Sequence, residues 1–308
     1  TQVKQAFYAV LLAKEALSVY RSVYDNSLQN LAQTEMRYNA QKASELEYTR
    51  AKATAANAIP NVFNAESSVI LALWQLKAVM GVDLDMPIDV AGTLSEYSGG
   101  MGYDIALEDS ASLDRNSTLR QLAIQAEQLA TTVKMQQYAS LPSLSLGFAY
   151  NYSAMANDFV FKNYKWTPYS YVGISLSIPI FSGGQRLNQI RQTRVQAAEL
   201  DLQRMDAERK LRIAIRQYLT TMQTNIKSFA AARDAEQTAR KAYDIAAKSY
   251  AVGRSTITDL NDAQLGLTQS QLAVSQAVYN FVVAKSQVEQ TLGHDFLDDS
   301  GNVDLVNR

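Results

Sequence analysis

The chain has 308 residues, of which 47% are hydrophobic and 19% charged, so it is not a disordered tail. Lys plus Arg is 29 against Asp plus Glu 30, a formal net charge of -1, which removes the basic footprint of a nucleic-acid binder. With no cysteine and one histidine, disulfides, thiolate metal sites, iron–sulfur clusters, cysteine nucleophiles and multi-histidine metal sites are excluded.

Proline occurs 5 times, about a third of the number ordinary usage would place in a chain this long. Few turn-formers imply few turns and long elements. No run of about 18 apolar residues is present, so no transmembrane helix is expected. No signal-peptide pattern opens the chain, and Thr1 stands inside a helical pattern, which is expected of a mature or truncated chain.

Residues 1–41 read as helix, because Phe7, Val10, Leu11, Leu17, Tyr20, Tyr24, Leu28 and Leu31 recur at steps of three and four. A second helix is predicted over 44–80, with Pro60 bending or breaking it and Gly81 as its C-cap. Residues 82–111 read as irregular. A third helix is predicted over about 112–139, starting near Ser110 and Ser112.

The period then changes to two. Leu144, Leu146, Phe148, Tyr150 and Tyr152 alternate with Ser143, Ser145, Gly147, Ala149 and Asn151. A second such run holds Val172, Ile174, Leu176, Ile178 and Ile180. The predicted strands are 143–153 and 170–180. The loop between them carries Phe159, Phe161, Tyr164, Trp166 and Tyr169.

After the turn Ser182-Gly183-Gly184, a helical pattern without Pro or Gly runs from Gln185 to about Val252. At 1.5 Å per residue such a helix is roughly 100 Å long. Gly253 ends it, and Thr256–Leu292 is a further helix ended by Gly293. The tail from Asp295 reads as acidic and irregular, and His294 as a solvated side chain just past that last helix. A helix near 100 Å cannot sit in one globular core and must pack along its length in a bundle or coiled coil.

Tyr38–Gly81 aligns without a gap to Tyr250–Gly293 at an offset of 212 (250 − 38 = 212). Identities fall at Tyr38, Ala51, Val62, Ala65, Ala72, Gln75 and Gly81. Lys42/Arg254, Ser44/Thr256 and Glu47/Asp259 are chemically alike. Each unit reads as helix, tight turn and helix ending at Gly, the pattern of an internal repeat. By the same offset Thr1 corresponds to Ile213, well inside the long helix, so the chain is expected to be part of a longer two-repeat protein.

Each strand has about the 9–11 residues that cross a bilayer when tilted. One face is apolar and the other carries Ser, Gly and Asn, which suits a barrel wall between lipid and water, with the loop aromatics as an interfacial girdle. The same alternation suits a hairpin packed on a helical core with its polar face in water. The adjoining long helix favours the barrel. One hairpin cannot close a barrel, so several copies must contribute strands.

The run Tyr250-Ala251-Val252-Gly253-Arg254-Ser255-Thr256-Ile257-Thr258-Asp259-Leu260-Asn261-Asp262-Ala263 resembles the periplasmic helix-turn of the TolC family of outer-membrane efflux channels. Ser177-Ile178-Pro179-Ile180-Phe181-Ser182-Gly183-Gly184 resembles that family's strand-to-helix junction, and Leu141-Pro142-Ser143-Leu144 its helix-to-strand junction. The likeness runs in the family's order over essentially the whole chain. It implies a mainly α fold with a β-barrel hairpin: a long α-helical coiled-coil barrel continuing a trimeric transmembrane β-barrel, built from two structural repeats. The barrel would have twelve strands, four per protomer.

On that resemblance the chain divides into a first-repeat periplasmic hairpin (1–81), an irregular equatorial segment (82–111), a helix (112–140), a transmembrane β-hairpin (141–182), a second-repeat hairpin (183–293) and a C-terminal equatorial tail (294–308). The implied location is the bacterial outer membrane with a periplasmic extension. The implied partners are two further copies, outer-membrane lipid, a periplasmic adaptor protein and an inner-membrane pump; no cofactor or metal is implied. The family's pore-lining acids fall on Asp259 and Asp262, whose i, i+3 spacing puts both on one helix face. Three copies would stack two acidic rings that favour cations. In the bland alternative the two are solvated carboxylates in a first helical turn, favoured by the helix dipole.

The family's tie between neighbouring hairpins falls on Tyr250 and Glu47. The arginine that usually reinforces it falls on Ser255, with Arg254 one place earlier, a departure from the pattern. The first turn, Asn39-Ala40-Gln41-Lys42, lacks the usual Gly. The adaptor-facing turns are Gly253, Arg254 and Ser255 with Gln41 and Lys42. No phosphate loop, nucleophile–base pair or metal cluster stands out. The leading expectation is therefore a passive, non-enzymatic export duct for small molecules such as drugs in a tripartite efflux system. The alternatives are the outer-membrane component of a type I protein secretion system and, in a different class, a soluble coiled-coil scaffold or adaptor.

Overall fold

The computed structural model describes residues 1–102, 113–155, 162 and 164–293. The sequence readings at Ser110, Ser112, Phe159, Phe161, His294 and the tail 294–308 lie outside the described residues. The chain is mostly helical with one small antiparallel sheet. In order it forms α1 (Gln2–Asn39), α2 (Glu45–Met80), a 3-10 helix (Leu94–Gly102), α3 (Ser117–Tyr138), β1 (Ser143–Met155), β2 (Lys165–Ser177), α4 (Gln185–Ala251) and α5 (Ile257–Leu292). Two units result: residues 1–116 with those from Lys210 onward, and Ser117–Arg209.

In the first unit, α1 and α2 form one helical hairpin, and the end of α4 with α5 forms another. The main core joins Val10 and Leu11 of α1, Leu76 of α2, Met222 of α4, and Val278, Phe281 and Val282 of α5. Val90, Leu94 and Met101 cover it from the segment after α2. That segment is not irregular throughout, as its Gly content suggested, because Leu94–Gly102 winds into a 3-10 helix. Glu15 of α1 nucleates the turn by accepting the N–H groups of Leu94 (3.0 Å) and Ser95 (3.3 Å). Lys14 holds the approach, donating to Val90 O at 2.6 Å and pairing with Asp89 at 2.5 Å.

Pro60 does not break α2, which runs through it. Proline removes one N–H and so strands the carbonyl four residues earlier. Pro60 and Ala56 are both exposed, so water can satisfy that carbonyl.

Leu113 and Asn116 are buried, and Asn116 donates its amide to Thr291 O at 2.7 Å. These contacts hold 113–116 as a turn, and the third helix runs from Ser117, later than the predicted 112.

In the second unit, the strands pair antiparallel with Leu144 opposite Leu176, Leu146 opposite Ile174 and Phe148 opposite Val172. This register gathers the apolar residues of both strands on one face. It leaves Ser143, Ser145 and Gly147 opposite Ser177, Ser175 and Gly173 on the other. The apolar face is bare: Leu146 is 74% and Ile174 75% exposed. β2 starts earlier than predicted and ends earlier, so Trp166 and Tyr169 lie in the strand and Ile178 and Ile180 lie beyond it. Tyr150 and Tyr152 meet edge-on at 5.2 Å towards the far end of the apolar face. Within the same unit, Gln136 of α3 hydrogen-bonds Thr193 of α4 at 2.9 Å. No helix among the described residues is long and apolar enough to cross a membrane.

Candidate functional site

The two helix-turns related by the 212-residue offset share one backbone. Gly253 lies at φ 76°, and Gln41, its counterpart, takes the same left-handed region at φ 56°. That region suits glycine, and a side chain there is strained. The N–H of Gln41 donates to Tyr38 O at 2.9 Å, and that of Gly253 to Tyr250 O at 3.0 Å. Lys42 N–H donates to Arg37 O at 2.7 Å, and Arg254 N–H to Ser249 O at 2.8 Å. Each turn leads into an N-cap: the Ser44 hydroxyl accepts Glu47 N–H, and the Thr256 hydroxyl accepts Asp259 N–H, both at 3.2 Å. Each following helix ends on a left-handed glycine, Gly81 at φ 71° and Gly293 at φ 70°.

Asp259 completes a capping box. Its carboxylate accepts the Thr256 N–H at 2.9 Å and the Thr256 hydroxyl at 2.8 Å. These bonds from the Thr256 main chain and hydroxyl hold the Asp259 carboxyl below the usual carboxylate range. Asp259 thus has a local structural job at the start of α5 as well as any role in a pore. Asp262 is exposed one turn on. The exposed stripe continues through Leu265 and Gln269, while Ile257, Leu260 and Leu267 are buried on the other side.

Tyr250 is 1% exposed, packed with Ala51, Ile257 and Leu260. Its hydroxyl lies 2.5 Å from Thr34 Oγ1, and its carbonyl accepts Arg37 Nη1 at 2.9 Å. The Arg37 guanidinium also stands 5.0 Å from the centre of the Tyr250 ring. An arginine therefore does reach the tip, but it comes from α1. Ser255, where the resemblance leads one to expect an arginine, donates to Ala246 O at 3.3 Å. Within the chain the partner of the Tyr250 hydroxyl is Thr34. The Glu47 carboxylate makes no hydrogen bond or ion pair among the described residues, and its main-chain N–H serves the Ser44 cap. Gln41, Lys42, Gly253 and Arg254 are exposed at the turns.

Further side-chain bonds join the two hairpins. Asn26 donates to Gln264 at 3.4 Å, Arg50 to Thr258 at 3.4 Å, and Asn261 to Thr54 at 3.1 Å. Tyr243, seven residues before Tyr250, pairs with the Asn30 side chain, and burial raises its phenol above the ordinary value. Sequence reasoning missed Asn30, Thr34 and Arg37. One signal was present: Thr34 stands three residues after Leu31 on the side of α1 where Ser27 is also buried, and a polar residue there needs a partner. No group of acidic or histidine side chains among the described residues is placed to hold a metal.

The profile of the outer membrane efflux protein family matches residues 110–294. The outer membrane protein TolC of Vibrio cholerae is 25% identical over 302 residues, covering 95% of this chain and 67% of that protein. TolC of Escherichia coli K12 is 23% identical over 300 residues, covering 94% of this chain. The chain thus spans 60–67% of the length of these relatives. The crystal structure of the outer membrane protein VceC from Vibrio cholerae superposes with a TM-score of 0.72 at 19% identity, over 94% of this chain and 68% of that one.

Proposed function

We propose, from the premise that the chain belongs to the outer membrane efflux protein family, that it is the main part of one protomer of a passive outer-membrane duct. The observation that carries this reading is the β1–β2 hairpin. Its register collects Leu144, Leu146, Phe148, Val172, Ile174 and Leu176 on one bare face, with Ser and Gly on the other. A two-stranded hairpin with neither face covered is marginal in water, whereas lipid outside and water inside satisfy both faces. Closing the wall takes more strands than one chain supplies here, and a homotrimer with four strands per protomer gives twelve. The common backbone of the two helix-turns supports two structural repeats, which form the walls of a periplasmic tunnel.

In this reading small molecules leave through the duct, energy and direction come from an inner-membrane pump, and a periplasmic adaptor docks on the turns at Gln41, Lys42, Gly253, Arg254 and Ser255. Asp259 and Asp262 form the acidic constriction, and Tyr250 with Glu47 the closing tie. The chain contributes no bond-making chemistry.

The test uses the full-length protein in an outer membrane. Asp in place of Leu146 or Ile174 is expected to impair insertion and export, because charge on a lipid face near the bilayer midplane costs on the order of 2 kcal/mol. Asp in place of Ser145 or Ser175 is expected to be tolerated. Equal tolerance at both parities refutes the barrel.

A further inference from the structure

Proton counting at the buried Tyr250 hydroxyl limits what else it can hold. Thr34 Oγ1 lies 2.7 Å from Asn30 O, one turn back in α1, and 2.5 Å from the Tyr250 hydroxyl. Thr34 has no measurable exposure, so water does not supply a further partner. A hydroxyl carries one hydrogen. With the Thr34 hydrogen on Asn30 O, the Tyr250 hydroxyl must donate to Thr34 Oγ1. Its own hydrogen is then in use, and only acceptor lone pairs remain. An ionised Glu47 is also acceptor-only. The Thr34 bond and a bond to Glu47 therefore exclude one another while Thr34 keeps its bond to Asn30.

We propose that Thr34 is a positioning residue that competes with Glu47 for the single proton of the Tyr250 hydroxyl, so that the tip has two alternative polar latches. The proposal rests on the tie between Tyr250 and Glu47 put forward above. In one state the proton lies on Thr34, within the buried contact between α1 and α4. In the other it lies on the carboxylate, and Thr34 falls back on its bond to Asn30 O. Arg37 bonds the Tyr250 carbonyl, so exchange of the hydroxyl between acceptors leaves that anchor in place. The exchange requires the Glu47 side chain, whose carboxylate bonds no described residue here, to come within reach of the hydroxyl.

Competition makes a signed prediction. Thr34→Val keeps the shape and removes the acceptor, which leaves Glu47 as the only alternative for a buried donor. Thr34→Val should therefore enlarge the effect of Glu47→Ala, by roughly tenfold or more in the opening equilibrium, since a buried donor without a partner is costly. Thr34→Ser should behave as the wild type. In a Tyr250→Phe background, Thr34 and Val should be equivalent. The opening equilibrium is read as amide hydrogen exchange of residues 250–258 in the full-length protein in detergent, with single-channel conductance in planar bilayers as the second readout.

Additive effects of Thr34→Val and Glu47→Ala, or a Thr34→Val effect that survives in Tyr250→Phe, would mean that Thr34 acts by packing alone, and either overturns the proposal. A Thr34→Val variant that shrinks the Glu47→Ala effect also overturns it, because the hydroxyls then act as a relay in which Thr34 donates to Tyr250 and Tyr250 to Glu47. Hydrogen exchange keeps this test separate from the duct itself. A wild-type protein that does not conduct would refute the duct, while the coupling in exchange would still support or refute the competition.

Discussion

Gly81 and Gly293 offer a matched pair for measuring how tightly the segment before α3 is seated. Their backbones are the same, φ 71° and ψ 25° at Gly81 and φ 70° and ψ 24° at Gly293. A methyl group at Gly81 meets nothing within 4 Å. At Gly293 it would lie 2.3 Å from Arg115 O and 2.6 Å from the carbon of the same carbonyl. Both atoms are main chain, so residues 113–116 would have to move. The left-handed conformation costs a side chain about 1–2 kcal/mol at either site. Displacing 113–116 also breaks the 2.7 Å bond from Asn116 to Thr291 O, and losing that part-buried hydrogen bond adds about 1–3 kcal/mol. Gly81→Ala should therefore cost about 1–2 kcal/mol and Gly293→Ala about 2–5 kcal/mol. Urea unfolding followed by helical circular dichroism measures both, as a shift in midpoint at constant slope. Equal losses at the two sites would refute the seating of Arg115 and Asn116 against the end of α5.

Gln41→Gly should raise the stability of the first turn by about 1 kcal/mol, since glycine relieves the left-handed strain, and a lower unfolding midpoint would contradict this. Because Thr256 holds the Asp259 carboxyl low, the capping box adds stability above the usual carboxylate range and loses it only as pH falls below that range, through the lowered folded-state value. A carboxyl-carbon titration of Asp259 with an ordinary or raised midpoint would contradict this. Burial, then the nearby Tyr97 and Glu289, push the Tyr8 phenol up to about 12. Its neutral form thus favours the folded state below pH 10, and that contribution fades as pH rises towards 12; Tyr8→Phe should remove this alkaline sensitivity, measured as unfolding midpoint against pH. Ala at both Asp259 and Asp262 should weaken block by polyvalent cations in the full-length channel, and unchanged block would remove the acidic-ring assignment.

Features fixed by local chemistry were readable in the sequence. Gly253 and Gly293 mark helix ends because only glycine is unstrained there, and Thr256 with Asp259 three residues on marks the next start. The alternation of β1 needs no tertiary information. The start of β2 was hidden because Pro168 reads as loop; it lies three residues from the start of the strand, where a missing N–H disturbs the ladder least. The 3-10 helix was hidden because Glu15, far away in sequence, caps it. The resemblance of the helix-turn points to Asp259 and Asp262, but nothing in the sequence points to Thr34 as the partner of Tyr250. Thr34 and Tyr250 are 216 residues apart, and their pairing exists only once the two hairpins pack.

The two ends of the helical hairpins are joined by different physics. Around Leu11, Leu76 and Phe281 the contact is apolar and large, while near Tyr250 a small cluster is supplemented by single bonds between Asn, Thr, Gln, Arg and Tyr side chains. Parting an apolar contact exposes hydrocarbon and raises the heat capacity, whereas parting polar contacts lowers it. Separating the hairpins at the turns therefore carries little thermal signature, and separating them at the broad end, around Phe281, a large one. Spreading of the turns should show a nearly linear van't Hoff plot, and separation at the broad end a curved one.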